Sequence, residues 1–218
     1  MKKYFGRLLV VVVLLLLALT IALLFFKQST NDSLNAKLPW NLILVNREHA
    51  VPDKFHAKMH ILANRQQVDE RIYPALQAMF DAARNNELQP EAAYCYRLRE
   101  QQREIYQNRV AYYQAQGLSK KEAETQTARY IAKPVHSEHQ LGLAIDIRSK
   151  NVADSDVLYT WLENNAHLYG FIQRYPKDKT DITGFNYERW HYRYVGIEEA
   201  KVIFDEHLTL EEYLQKYR

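Results

Sequence analysis

Ten consecutive residues, Ser137-Glu138-His139-Gln140-Leu141-Gly142-Leu143-Ala144-Ile145-Asp146, place a histidine and an aspartate seven positions apart. Some forty residues later the chain reads Glu188-Arg189-Trp190-His191. Together the two segments offer two imidazoles, one carboxylate and a spare glutamate. A hydrolytic zinc site needs three nitrogen or oxygen ligands, one open position and a nearby base. The paired segments supply that inventory.

Each residue also has a structural use. His139 could cap a turn, Asp146 could pair with Arg148 or Arg193, and His191 could be a half-buried strand residue. Glu188 could form a salt bridge to Arg189 or Arg193, a weakly stabilising role. Bound directly to a metal, Glu188 would leave no separate base. Standing beside the metal, it could take a proton from water.

The elements that must position these groups follow from local patterns. Leu143 to Arg148 reads as a strand with Leu143, Ile145 and Ile147 on one face and Asp146 on the other. Gly142 allows the sharp turn that brings His139 back towards Asp146. Arg189 to Val195 reads as another strand, as do Phe171 to Tyr175, Ala92 to Arg97 and the apolar run Asn41 to Asn46. Helical spacing of Val68, Ile72, Leu76, Met79 and Phe80 predicts a helix over 66–86, with Pro74 as an interior kink. Helices are also predicted over 99–116 and 119–131, the second started by the capping box Ser119-Lys120-Lys121-Glu122. Asp154 or Ser155 caps a helix running to Tyr169, and Thr209 caps a last one. Helices and strands mix without βαβ alternation. The expected class is α+β, with a small mixed or antiparallel sheet packed against helices.

At 218 residues the chain suffices for one domain and an appendage. Leu8 to Phe26 is uncharged and overwhelmingly apolar, roughly 28 Å long as a helix at 1.5 Å per residue. Lys2, Lys3 and Arg7 precede it. The run is long for a signal peptide and lacks a small-residue cleavage pattern. Residues 1–27 therefore read as a signal anchor and transmembrane helix in the cytoplasmic membrane, its N-terminus in the cytoplasm. Residues 28–37 read as a polar juxtamembrane linker, and 38–218 as the catalytic domain beyond the cytoplasmic membrane, extracellular or periplasmic. The net charge of +3 sits in the anchor, which carries four of the basic residues and no acid. The remainder is near neutral and has no basic face for nucleic acid. The single Cys95 excludes an intramolecular disulfide. The histidines outside the two segments lack a ligand pattern.

Ser-x-His-x-x-Gly-x-Ala-x-Asp followed by Glu-x-Trp-His resembles the pattern of the VanY-type D,D-carboxypeptidases and the related LdcB-type L,D-carboxypeptidases. Both are zinc peptidases that trim peptidoglycan stem peptides. The likeness extends over 38–218. It includes Leu38 to Asp53, Tyr96-Arg97 with Gln102, Tyr169 to Pro176 and Trp190 to Gly196. Cys95, Leu98 and Arg189 depart from it, standing where the family commonly has Gly, Ser and Pro. None of the three is among the residues that the family's motifs assign to the metal or the base; they bear on the shape of the substrate pocket.

The resemblance implies a VanY/hedgehog-like zinc peptidase fold holding one zinc ion. His139, Asp146 and His191 would be its ligands and Glu188 the catalytic base. Arg97 would bind a substrate carboxylate or stabilise an oxyanion. Ser137 would hydrogen-bond substrate, and Trp190 would wall the pocket. The expected function is removal of C-terminal D-alanine, or D-lactate, from stem pentapeptides. The alternatives are an L,D-carboxypeptidase acting on the tetrapeptide and a non-catalytic wall-binding module.

Overall fold

The computed structural model describes residues 35–218 together with Leu14, Leu16, Leu17, Leu19 and Thr20. Most of the expected membrane helix and most of the expected linker lie outside the described residues. Among the described residues no helix is long and apolar enough to cross a membrane. The unit that carries the chemistry spans Pro39–Arg218.

Its centre is a four-stranded antiparallel sheet. The strands are β3 (Pro90–Tyr94), β4 (Ala144–Ser149), β5 (Phe171–Gln173) and β6 (His191–Tyr194), in the order β3-β4-β6-β5. A short hairpin, β1 (Met59–Ile61) and β2 (Gln67–Asp69), precedes it in the chain. The α+β class and the antiparallel sheet agree with the sequence reading. The two faces of β4 do so as well. Ile145 and Ile147 are fully buried among Val68, Ile72, Leu76, Met79 and Leu158, while Asp146 turns to the opposite face. Burial of each such aliphatic side chain contributes about 1.5–3 kcal/mol. The strand that carries the carboxylate is therefore firmly seated.

Helix α1 (Tyr73–Asn85) begins later than predicted. Pro74 lies in its first turn, where a missing amide costs no hydrogen bond, and residues 67–69 form β2 instead. The proline starts this helix and does not kink it. Leu76, Met79, Phe80 and Ala83 form its buried stripe.

The run Asn41 to Asn46 is buried but is not a strand. It holds a 3₁₀ turn at Trp40–Leu42 followed by irregular chain. Two of its carbonyls are satisfied by a side chain rather than a sheet partner. Arg193 Nη2 donates to Asn41 O at 3.1 Å and to Ile43 O at 2.9 Å.

Helices α2 (Arg99–Ala115) and α3 (Lys120–Thr127) form a hairpin along one side of the site. The Ser119 and Glu122 capping box is present, with Ser119 N donating to Glu122 Oε2 at 2.9 Å. Beyond β4, α4 (Ser155–Asn165) passes into a 3₁₀ turn ending at Tyr169, so the single helix expected to Tyr169 is two pieces. A one-turn α5 (Thr180–Thr183) precedes β6. Helices α6 (Ile197–Asp205) and α7 (Leu210–Tyr217) complete the unit, α7 capped by Thr209 with Glu212 as expected.

Candidate active site

The register of the sheet assembles the site. Asp146 on β4 is the ladder partner of His191 on β6, and their side chains share one face. His139 comes from the 3₁₀ turn Glu138–Leu141 just before β4. Gly142 ends that turn at φ +70°, and a Cβ there would meet the Asp69 amide nitrogen at 3.0 Å. Only glycine fits both the backbone conformation and the space.

The three groups converge. Asp146 Oδ1 is 2.9 Å from His191 Nδ1 and 3.5 Å from His139 Nε2. All three donor atoms lie within 4.8 Å of one another. Tetrahedral zinc with bonds of 2.0–2.1 Å sets its donors about 3.3 Å apart. Two imidazoles and one carboxylate also match its preference. These residues fit a zinc ion.

The far side of each imidazole is held. His139 Nδ1 is 2.7 Å from Cys95 O, which fixes that nitrogen as the donor and leaves Nε2 for a ligand. His191 Nε2 faces Glu138 Oε2 at 3.8 Å. Glu138 is wholly enclosed, and its Oε1 accepts from Arg174 Nε at 2.8 Å and from Arg193 Nη1 at 2.9 Å. Arg174 in turn makes a two-pronged pair with Glu211 on α7. Burial opposes the charge on Glu138, but the two guanidiniums hold its carboxyl well below the usual range. Sequence reasoning missed Glu138 as a support for His191. Its adjacency to His139 was visible, but the arginines that make it tolerable arrive only through the fold.

The charges are organised for cation binding. Burial lowers His139, so its imidazole is neutral. Burial also opposes ionisation of Asp146, yet the two histidines keep it ionised far below its ordinary value. Against burial, the carboxylates of Asp146 and Glu138 raise His191 to about 9. The cluster thus collects positive charge, as a proton or as a divalent ion.

Glu188 sits at the edge of the cluster, buried, with Oε2 3.7 Å from His191 Nδ1. Neither expected salt bridge forms. Arg189 pairs with Asp156, and Arg193 with Glu138. Burial pushes the Glu188 carboxyl up to about 7, which suits a group that must both accept and release a proton. Arg97 also reaches the site, with Nη2 3.5 Å from Asp146 Oδ2. Its Nη1 donates to Gln102 Oε1 at 3.1 Å, and Gln102 is itself fixed by Ala132 O. Arg97 therefore enters the site on a rigid mount.

These groups line one cleft of about 600 Å³, together with Ser137, Tyr175 and Trp190. Every residue predicted for the site is present in it. Ser137 is buried and Trp190 is 37% exposed at the mouth. Tyr175, its ring 4.9 Å from that of His191, forms a wall that the residue pattern did not single out. Cys95 lies just outside, and burial pushes its thiol up to about 12, so it is not a nucleophile here.

Residues 65–197 match the family model described as VanY, D-alanyl-D-alanine carboxypeptidase. A D-alanyl-D-alanine carboxypeptidase of Enterococcus faecalis is 46% identical over 80% of this chain and 66% of its own length. The chain thus spans about two thirds of that curated relative. Among solved structures, VanYB in complex with D-alanine-D-alanine is 45% identical with a TM-score of 0.81, over 83% of this chain and 100% of the other. A mutant of a vancomycin-resistance D,D-pentapeptidase VanY in complex with zinc is 46% identical with a TM-score of 0.78. That match covers 81% of this chain and 99% of the other.

Proposed function

The chain belongs to the VanY family of D-alanyl-D-alanine carboxypeptidases, and from that premise we propose that it removes the C-terminal D-alanine, or D-lactate, of peptidoglycan stem pentapeptides. The carrying observation is the buried Glu188 carboxylate beside the convergent His139, Asp146 and His191, paired with neither Arg189 nor Arg193.

Zinc, held by His139, Asp146 and His191, supplies Lewis acidity to the scissile carbonyl and to water. Glu188 takes the proton from the attacking water. The carbonyl carbon gains the hydroxyl oxygen, and the amide carbon–nitrogen bond then breaks. Glu188 returns the proton to the leaving amine, so it ends ionised as it began. Arg97 offers its guanidinium fork to the substrate's terminal carboxylate or to the developing oxyanion. Gln102 keeps that fork aimed into the cleft. Ser137 supplies a hydroxyl on the cleft floor, and Trp190 closes its mouth over substrate. Tyr175 shields His191 from solvent.

The apolar run of residues 8–26 supports a membrane-tethered enzyme whose catalytic unit faces the wall from outside the cytoplasm. Tethering would raise the local concentration of the unit near its substrate.

Incubation of the zinc-loaded full chain with synthetic penta- and tetrapeptide stems, followed by mass spectrometry, tests the reading. Loss of one D-alanine from the pentapeptide is expected. Cleavage of the tetrapeptide with the pentapeptide left intact would move the assignment to an L,D-carboxypeptidase. Wall binding with neither stem cleaved would make it a binding module.

A further inference from the structure

The catalytic cleft does not end at the metal ligands. Ile131, Ala132 and Phe185 line both it and a neighbouring pocket of about 320 Å³. That pocket is cationic, with Arg47, Lys121 and Lys133 in its wall against one carboxylate, Glu124.

Arg47 is held there by contacts that do not neutralise it. Its guanidinium carbon lies 5.3 Å from the centre of the Phe185 ring. Its Nη2 donates to Ala128 O at 2.5 Å. Its stem lies against Gly184, where a Cβ would come within 3.0 Å of Arg47 Cδ and Nε. Gly184 has φ +77°, so both its conformation and its bareness make room for the arginine. Among the described residues no carboxylate stands within ion-pair distance of Arg47. Partial desolvation and then repulsion from Arg129 lower its pKa, as expected of a cation without a local counter-ion.

A second observation points the same way. Tyr106 lines the pocket, is only 9% exposed, and its hydroxyl is buried without a hydrogen-bond partner. Buried hydroxyls are normally satisfied, so this one is a donor in want of an acceptor.

We propose that this pocket is an anion subsite for the peptide substrate. It takes a carboxylate carried upstream of the scissile bond, with Arg47 as the main contact and the Tyr106 hydroxyl as a second donor. A guanidinium fork matches a carboxylate, and Lys121 and Lys133 supply a favourable field at the rim. The shared lining residues Ile131, Ala132 and Phe185 place the pocket beside the cleft, so that one extended peptide can reach both. Glu124 in the wall disfavours a doubly charged phosphate more than a carboxylate. The assignment rests on the carboxypeptidase reading for the identity of the substrate.

The test uses two pentapeptide stems that differ only at the glutamyl residue, one with a free carboxylate and one with the amide. Their binding to the zinc-loaded full-length Glu188→Ala variant is measured by calorimetry, so that turnover does not intervene. The acid stem is expected to bind about tenfold tighter. Arg47→Gln, in the same background, is expected to abolish that preference, and Tyr106→Phe to reduce it severalfold. Equal affinity for the two stems without the Arg47 change would overturn the proposal. So would a preference that survives Arg47→Gln, or Arg47-dependent binding of inorganic phosphate with no preference between stems. If the unmutated enzyme cleaves neither stem, the carboxypeptidase reading fails, while the binding comparison still decides the subsite.

Discussion

Glu138 Oε2 faces His191 Nε2 across 3.8 Å, and both atoms are buried with no hydrogen-bond partner. The carboxylate is anchored from behind by Arg174 and Arg193. It orients the imidazole so that Nδ1 points at Asp146, and it raises the electron density that Nδ1 can offer a cation.

Replacing Glu138 by Gln is therefore expected to weaken zinc binding by about 10–100-fold. Chelator competition on the purified protein would read this directly. The same change strips two buried guanidiniums of their shared counter-charge, so a loss of about 3–5 kcal/mol in unfolding free energy should accompany it. Unaltered zinc affinity in a folded Glu138→Gln protein would remove Glu138 from the metal's support.

Gly142 sets the spacing between His139 and Asp146. Alanine there must adopt φ near +70° and place its Cβ 3.0 Å from a backbone nitrogen that is itself bonded to Gly142 O. The conformational part alone costs about 1–2 kcal/mol. Urea unfolding of Gly142→Ala should show at least that loss. A stability equal to wild type would mean that the turn relaxes without strain.

The pH dependence of turnover should follow Glu188. A general base must be ionised, so activity rises as pH rises through its pKa. Burial pushes that carboxyl up to about 7, and a bound cation favours the ionised form. The ascending limb of kcat/KM is thus expected at or below pH 7. A limb above pH 8 would not fit this base.

Much of this site was legible because its signals are local. The ligand spacing, the alternation along β4, and the Ser119 and Thr209 caps each depend on a few adjacent residues. What was misread depends on distant partners. The run 41–46 looks like a strand because it is apolar and buried, but Arg193, some 150 residues on, answers its carbonyls. Pro74 is equally compatible with a kink and a start, and only the β1–β2 hairpin decides for the start. Glu138 reads as an ordinary charge until Arg174, Arg193 and His191 are brought around it.

The central claim is that Glu188 is the base of a zinc carboxypeptidase acting on the pentapeptide stem. The most direct measurement compares wild type and Glu188→Ala, both assayed for bound zinc and for D-alanine released from the pentapeptide. The account predicts one zinc per chain in each and a fall in turnover of about 10²–10⁴-fold in the variant. Undiminished release of D-alanine by a zinc-replete Glu188→Ala protein would contradict it.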